Sequence, residues 1–157
     1  MSINPFNRPF DKTTYDAVDS ASKVALENFY VNTINAKVVS GKEEMFKAGD
    51  LIMETKTQRK VIEAEMRRWM HFNRIIMNKY DTVNIPFRKS HLNYDVYHVL
   101  SPDFEQMFIT SSEKMRPFLN NLVSIPCDGY YEKFFQVDKK VFTYWEINSS
   151  GIWKNKS

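Results

Sequence analysis

The sequence is short of the residues from which many sites are built. A single cysteine, Cys127, excludes an internal disulfide framework and any cysteine-based zinc site, and makes an intracellular setting the default. Four glycines in 157 residues leave no Gly-rich phosphate cradle of the Walker or dinucleotide type, and no serine nucleophile elbow is present. The three histidines are His71, His91 and His98. His91 and His98 are spaced so that a strand would send them to opposite faces, more than about 20 Å apart, which supports neither a zinc site nor a His-Asn-His centre. No run approaches the roughly eighteen apolar residues of a membrane span, and MSINPFNRPFDK lacks the apolar core of a signal peptide. The expectation is a cytoplasmic protein of a bacterium or a phage-infected host, with no membrane partner.

What is present is a globular composition, 43% hydrophobic and 15% aromatic, long enough for one domain to bury about two thirds of its unfolded surface. No repeat or linker divides it. Residues 1–157 therefore read as a single domain, with an N-terminal arm over 1–10 and a polar tail over 148–157. The net charge of +3 is compatible with nucleic-acid contact without demanding it.

The most informative stretch is Ala48–Arg68, AGDLIMETKTQRKVIEAEMRR. Two alternating runs flank KTQR and predict a β-hairpin. A tight loop at Thr57 and Gln58 would set Asp50 opposite Glu65, Ile52 opposite Glu63 and Glu54 opposite Val61. Leu51, Met53, Ile62, Ala64 and Met66 then form one apolar face, while Asp50, Glu54, Glu63 and Glu65 gather on the other. Like charges across a sheet repel, and a divalent cation would cancel them. The plainer account pairs the acids with Arg59, Arg67 and Arg68. If repulsion dominates, neutralising one carboxylate leaves the metal-free protein as stable as before or slightly more so.

Asp50 near the start of one strand, with Glu63-Ala64-Glu65 on the next, resembles the core of the PD-(D/E)XK, or restriction-endonuclease-like, nuclease superfamily. The resemblance spans roughly residues 14–100. It implies an α+β fold with a three-layer-like core, in which an N-terminal helix packs on a mixed, mainly antiparallel β-sheet. It also implies that Asp50, Glu63 and Glu65 hold Mg2+ (or Mn2+), and that an acid of the first helix, here Glu27, joins them. The sequence departs from the pattern at two places. Gly49 stands where a proline precedes the first acid, and Glu65 stands where the motif has lysine, as in some members of the superfamily. A second alignment would take Glu44 as first acid with Glu54-Thr55-Lys56, but sets Lys56 at the turn.

The rest of the chain fits around this hairpin. Thr13 or Thr14 can cap a helix reaching about Ile34, with Val18, Ala21, Ala25 and Phe29 on its packing face. Residues 36–47 read as a strand broken at Ser40-Gly41, and 69–80 as a short helix or an irregular crossover. In DTVNIPFRK, Val83, Ile85 and Phe87 share a face, and the basic pair Arg88-Lys89 can bind a scissile phosphate or replace the missing lysine. Strands are expected over Tyr94–Leu100 and Phe104–Thr110, then a helix from Ser111 or Ser112 through Val123 and a last hairpin of EKFFQV with VFTYWEI. The expected activity is metal-dependent hydrolysis of DNA phosphodiesters. Asp50, Glu63, Glu65 and Lys89 would be catalytic, and Lys56, Arg67, Arg68, Arg88 and Lys89 would contact DNA. A homodimer is allowed. The alternative is a protein of the same fold, possible as a phage component, that binds nucleic acid or a protein partner without catalysis.

Overall fold

A computed structural model of the protein describes residues 21–39, 51–127 and 129–157. Helix α1 covers 21–28 and closes in a π-helical turn, Phe29–Thr33, before Asn35 takes the left-handed conformation that ends it. Strands β1 (Lys37–Val39), β2 (Leu51–Glu54) and β3 (Arg59–Met66) then pair antiparallel in succession. The start of the first helix, the break at Ser40-Gly41, Glu44 and Asp50 lie outside the described residues. Helix α2 (Trp69–Ile76) ends at a left-handed Asn78 and leads to β4 (Thr82–Pro86) and a 3-10 turn, Phe87–Lys89. Strand β5 (Val96–Leu100) returns parallel to β3, started by Asp95, whose carboxylate accepts the Val61 amide at 2.8 Å. After β6 (Gln106–Ser111) come the short helix α3 (Ser112–Met115), β7 (Leu122–Cys127), β8 (Tyr130–Asp138), β9 (Thr143–Ile147) and β10 (Trp153–Asn155).

The strands form two sheets. One has seven strands in the order β1-β2-β3-β5-β6-β9-β10, and the other has three in the order β4-β8-β7. The β3–β5 pair is parallel and every other described pair antiparallel, so the fold is α+β with a mixed, mainly antiparallel sheet. Both faces of the large sheet are covered. On one, Leu26, Phe29 and Tyr30 of α1 pack with Leu51, Met53, Ile62, Leu100, Met107 and Trp153. On the other, Phe72 and Ile75 of α2 and Val83, Ile85, Phe135 and Val137 of the small sheet pack with Tyr97, Val99 and Phe108. Each such fully buried aliphatic or aromatic side chain contributes about 1.5–3 kcal/mol relative to exposure.

Several sequence expectations change here. The hairpin exists, but Glu54 pairs with Arg59 and Ile52 with Val61, two residues away from the expected register. Thr55 is the cause: its amide donates to the Gln58 carbonyl at 2.8 Å and its hydroxyl accepts from the Gln58 amide at 3.1 Å, which closes a two-residue loop at Lys56 and Thr57, one position earlier than expected. A shift of two keeps every side chain on its expected face. The acidic face is not left to solvent, however. Ile52 on that face is buried, Val61 packs there, and Glu63 is only 9% exposed.

Toward the C-terminus, α3 stops at Met115, and Leu122–Cys127 is a strand where a helix was expected through Val123. The segments EKFFQV and VFTYWEI do not form a hairpin: β8 belongs to the small sheet and β9 to the large one, with the 3-10 turn Lys139–Val141 carrying the chain between them. The supposed polar tail contains β10, and Trp153 is 2% exposed beneath α1.

Candidate functional site

Period-two alternation places Glu63, Glu65 and Arg67 in succession on the side of β3 that faces α2 and the small sheet. The 3-10 turn after β4 brings in the complementary charge. Lys89 Nζ lies 2.5 Å from Glu63 Oε1, and both side chains are largely buried, at 18% and 12% exposed. The Tyr94 hydroxyl donates to the Lys89 carbonyl at 2.7 Å and so fixes the turn that presents this lysine. Between them, Leu92 is held at a φ of 53°, an unfavourable left-handed conformation for a branched residue, in the loop that carries Lys89.

Glu65 is held from two sides. The Tyr97 hydroxyl donates to its Oε2, and Arg67 Nε stands 3.5 Å from its Oε1. Arg67 also donates to the Asn84 carbonyl of β4 and lies over the Phe134 ring at 5.9 Å, tying the end of β3 to the small sheet. Burial, reinforced by the neighbouring Glu63 and Glu65 charges, holds the Tyr94 hydroxyl above its ordinary pKa. Tyr97 is raised by burial first and by the Glu65 charge second. Both phenols therefore remain hydrogen-bond donors at any physiological pH.

The expected site residues divide into three groups. Glu63, Glu65, Arg67 and Lys89 come together. Asp50 lies outside the described residues. The others lie apart. Glu27 is exposed on α1, which covers the opposite face, so the sheet separates it from Glu63 and it cannot join the same ion. Lys56 is exposed in the hairpin loop, about 13 Å or more along the strand from Glu63 at roughly 3.3 Å per residue. Arg88 points outward to Glu132 at 3.8 Å. Arg68 is half-buried at the entry to α2. Arg67 is only 14% exposed and engaged on Glu65, Asn84 and Phe134, so its guanidinium is turned into the fold and not toward an open rim.

Tyr94 and Tyr97 were missed at the sequence level. Alternation in NYDVYHVL marks their strand but not which ring reaches an acid, since that depends on the parallel pairing of Glu63 with Tyr97 and Glu65 with Val99. His98 proves to be a satisfied core histidine. Its Nε2 stands 2.6 Å from the Tyr30 hydroxyl and its Nδ1 3.1 Å from Met107 Sδ, and burial lowers its pKa to about 3. His91 is exposed and accepts the Asn93 amide, and His71 is half-buried beside three arginines.

Magnesium typically takes one or two carboxylates and completes its shell with water and substrate phosphate. Glu63 and Glu65, two acids of one strand on one face, meet that requirement in number and type. Among the described residues no group of three His, Cys, Asp or Glu side chains could hold a metal ion, so a third ligand would have to come from outside them. Among the described residues, too, no helix is long and apolar enough to cross a membrane.

Compared with known proteins, the chain matches no family model, no curated protein and no solved structure.

Proposed function

We propose that the protein is a metal-dependent nuclease hydrolysing DNA phosphodiester bonds, on a restriction-endonuclease-like core. One observation carries the reading: Lys89 Nζ meets Glu63 Oε1 on the face of β3 that also bears Glu65. A lysine is absent at position 65, where the resemblance expects it, and Lys89 provides one from another element beside the same acids. The order of elements is in keeping with this core, since α1 precedes the three-strand meander β1-β2-β3.

Glu63 and Glu65, with Asp50 as the third acid, would hold Mg2+ or Mn2+, which supplies Lewis acidity and an activated water when bound. Lys89, beside the same acids, would neutralise the charge that develops on a non-bridging phosphate oxygen. Arg67 and Tyr97 keep Glu65 in one rotamer, and Tyr94 fixes the turn behind Lys89. The test is incubation of the purified protein with supercoiled, linear and single-stranded DNA in Mg2+ and in Mn2+, beside Lys89→Ala and Glu63→Gln. Cleavage by the parent that either substitution abolishes supports the reading, and an inert parent in every combination ends it.

A second reading has its own support. Lys89 on Glu63 and Arg67 on Glu65 already balance both acids without a metal. In that case the cluster fastens the two sheets together, and the protein binds nucleic acid or a protein partner without catalysis.

A further inference from the structure

Strand β8 outruns its neighbour. Its pairing with β4 ends at Pro86↔Phe134, while its pairing with β7 continues through Ser124↔Lys133 and Pro126↔Tyr131 to Cys127↔Tyr130. The segment beyond Phe134 is thus a two-stranded ribbon projecting past the packed small sheet, closed at a turn in which Gly129 takes a φ of 80°. The core does not use its tip, and Tyr131 is 73% exposed.

One face of this ribbon has an ordered chemistry. Lys133 and Tyr131 are two residues apart on β8, hence on the same side and about 7 Å apart. Beyond Lys133 comes Phe87, 42% exposed, with Lys133 Nζ 5.1 Å from its ring centroid. The row therefore runs ring, cation, ring. Phe87 opens the 3-10 turn whose last residue is Lys89, so the row begins beside the Glu63–Lys89 pair, with the exposed Arg88 between them.

We propose that this row is a platform for single-stranded nucleic acid, with a base stacking on Tyr131 and a phosphate meeting Lys133, whose ammonium the Phe87 ring holds in place. An exposed ring beside a cation matches the two demands of such a strand, a π-face for an unpaired base and positive charge for the backbone. A duplex offers no unpaired base to Tyr131, and an apolar partner would gain nothing from a lysine at the centre of the row. The proposal deepens the nuclease reading by naming the form of its substrate, and it rests on that reading only for the role of the neighbouring acids.

The test is fluorescence anisotropy of a labelled oligothymidylate with the full chain in EDTA, where metal-dependent cleavage cannot contribute. The expected result is salt-sensitive binding, weakened about tenfold by Tyr131→Ala and less than about threefold by Tyr131→Phe, as stacking predicts. Lys133→Gln should weaken binding and flatten its salt dependence, and unlabelled duplex should compete poorly. Circular dichroism of each variant checks that the ribbon still folds. No binding at low salt, equal affinity of folded Tyr131→Ala and parent, or a duplex that competes as well as the single strand would each overturn the platform. A protein that binds in this way but never cleaves DNA loses the nuclease reading and keeps the platform. One that cleaves without using Tyr131 does the reverse.

Discussion

Lys89 and Glu63 are 26 residues apart in the chain, and their Nζ and Oε1 atoms meet at 2.5 Å in the seam between the two sheets. Because both side chains are mostly shielded from water, removing either partner strands the other's charge. Lys89→Met should therefore lower stability by about 1–3 kcal/mol at neutral pH, and Glu63→Gln by a similar amount. The double substitution should recover part of the loss, a coupling that urea denaturation of the four proteins measures directly. This reverses the sign expected from the sequence, where crowded carboxylates imply relief on neutralisation.

Added Mg2+ should raise the melting temperature of the parent, since a ligand that binds only the folded state stabilises it, by about 1.4 kcal/mol at tenfold its Kd. Glu63→Gln should abolish the shift. A parent whose melting is unmoved by Mg2+ or Mn2+ at millimolar concentration leaves the acids as fasteners of the fold.

The Tyr97 hydroxyl is fully buried and bonds to Glu65, so Tyr97→Phe removes one hydrogen bond to a charged acceptor at constant shape. The expected loss is about 1–3 kcal/mol. Thermal unfolding reads it, and an unchanged melting temperature would show that Glu65 finds another donor.

Acid should weaken the fold through His98. Burial lowers its pKa to about 3 from an ordinary 6.5, so below pH 6.5 the unfolded chain takes up a proton that the folded chain refuses. Stability should fall as pH drops from 6.5, by at most about 1.4 kcal/mol per unit, and level off only near pH 3. His98→Gln should reduce that slope while lowering stability at neutral pH, because Tyr30 loses its 2.6 Å partner. Denaturation midpoints at four or five pH values are sufficient to test it.

Trp153→Ala should cost about 3–5 kcal/mol, the usual range for emptying a buried aromatic site. A loss below about 1 kcal/mol would mean that β10 is dispensable.

Alternation made the central hairpin legible, because a period of two survives an error in the turn: Leu51, Met53 and Ile62 are buried on the face assigned to them. The turn itself was misread because Thr55 supplies a side-chain bond that no periodicity reveals. Strand β7 was missed although Asp128-Gly129, between LVSIPC and YYEKFFQV, is a strong hairpin signal, since Ser111 and Ser112 suggested a helix cap and only one turn of helix follows. Lys89 was picked out as a neighbour for the acids by its chemistry. Which basic residue reaches which acid was not legible, because Arg67, next to the acids in sequence, divides itself between Glu65 and the Asn84 carbonyl, while Lys89 reaches Glu63 through the tertiary fold.

The parallel pairing of β3 with β5 has a consequence for how the chain reaches its native state. Antiparallel neighbours such as β2 with β3 and β5 with β6 are separated by short loops and can form early. Joining those two units closes the long stretch from Arg67 through Asp95, which carries α2 and β4, when Ile62 meets Val96. The closure entropy of that long crossover is spent before the contacts that reward it exist. Assembly should therefore be limited by the docking of two preformed halves, and substitutions in the seam should slow refolding more than substitutions in either hairpin loop.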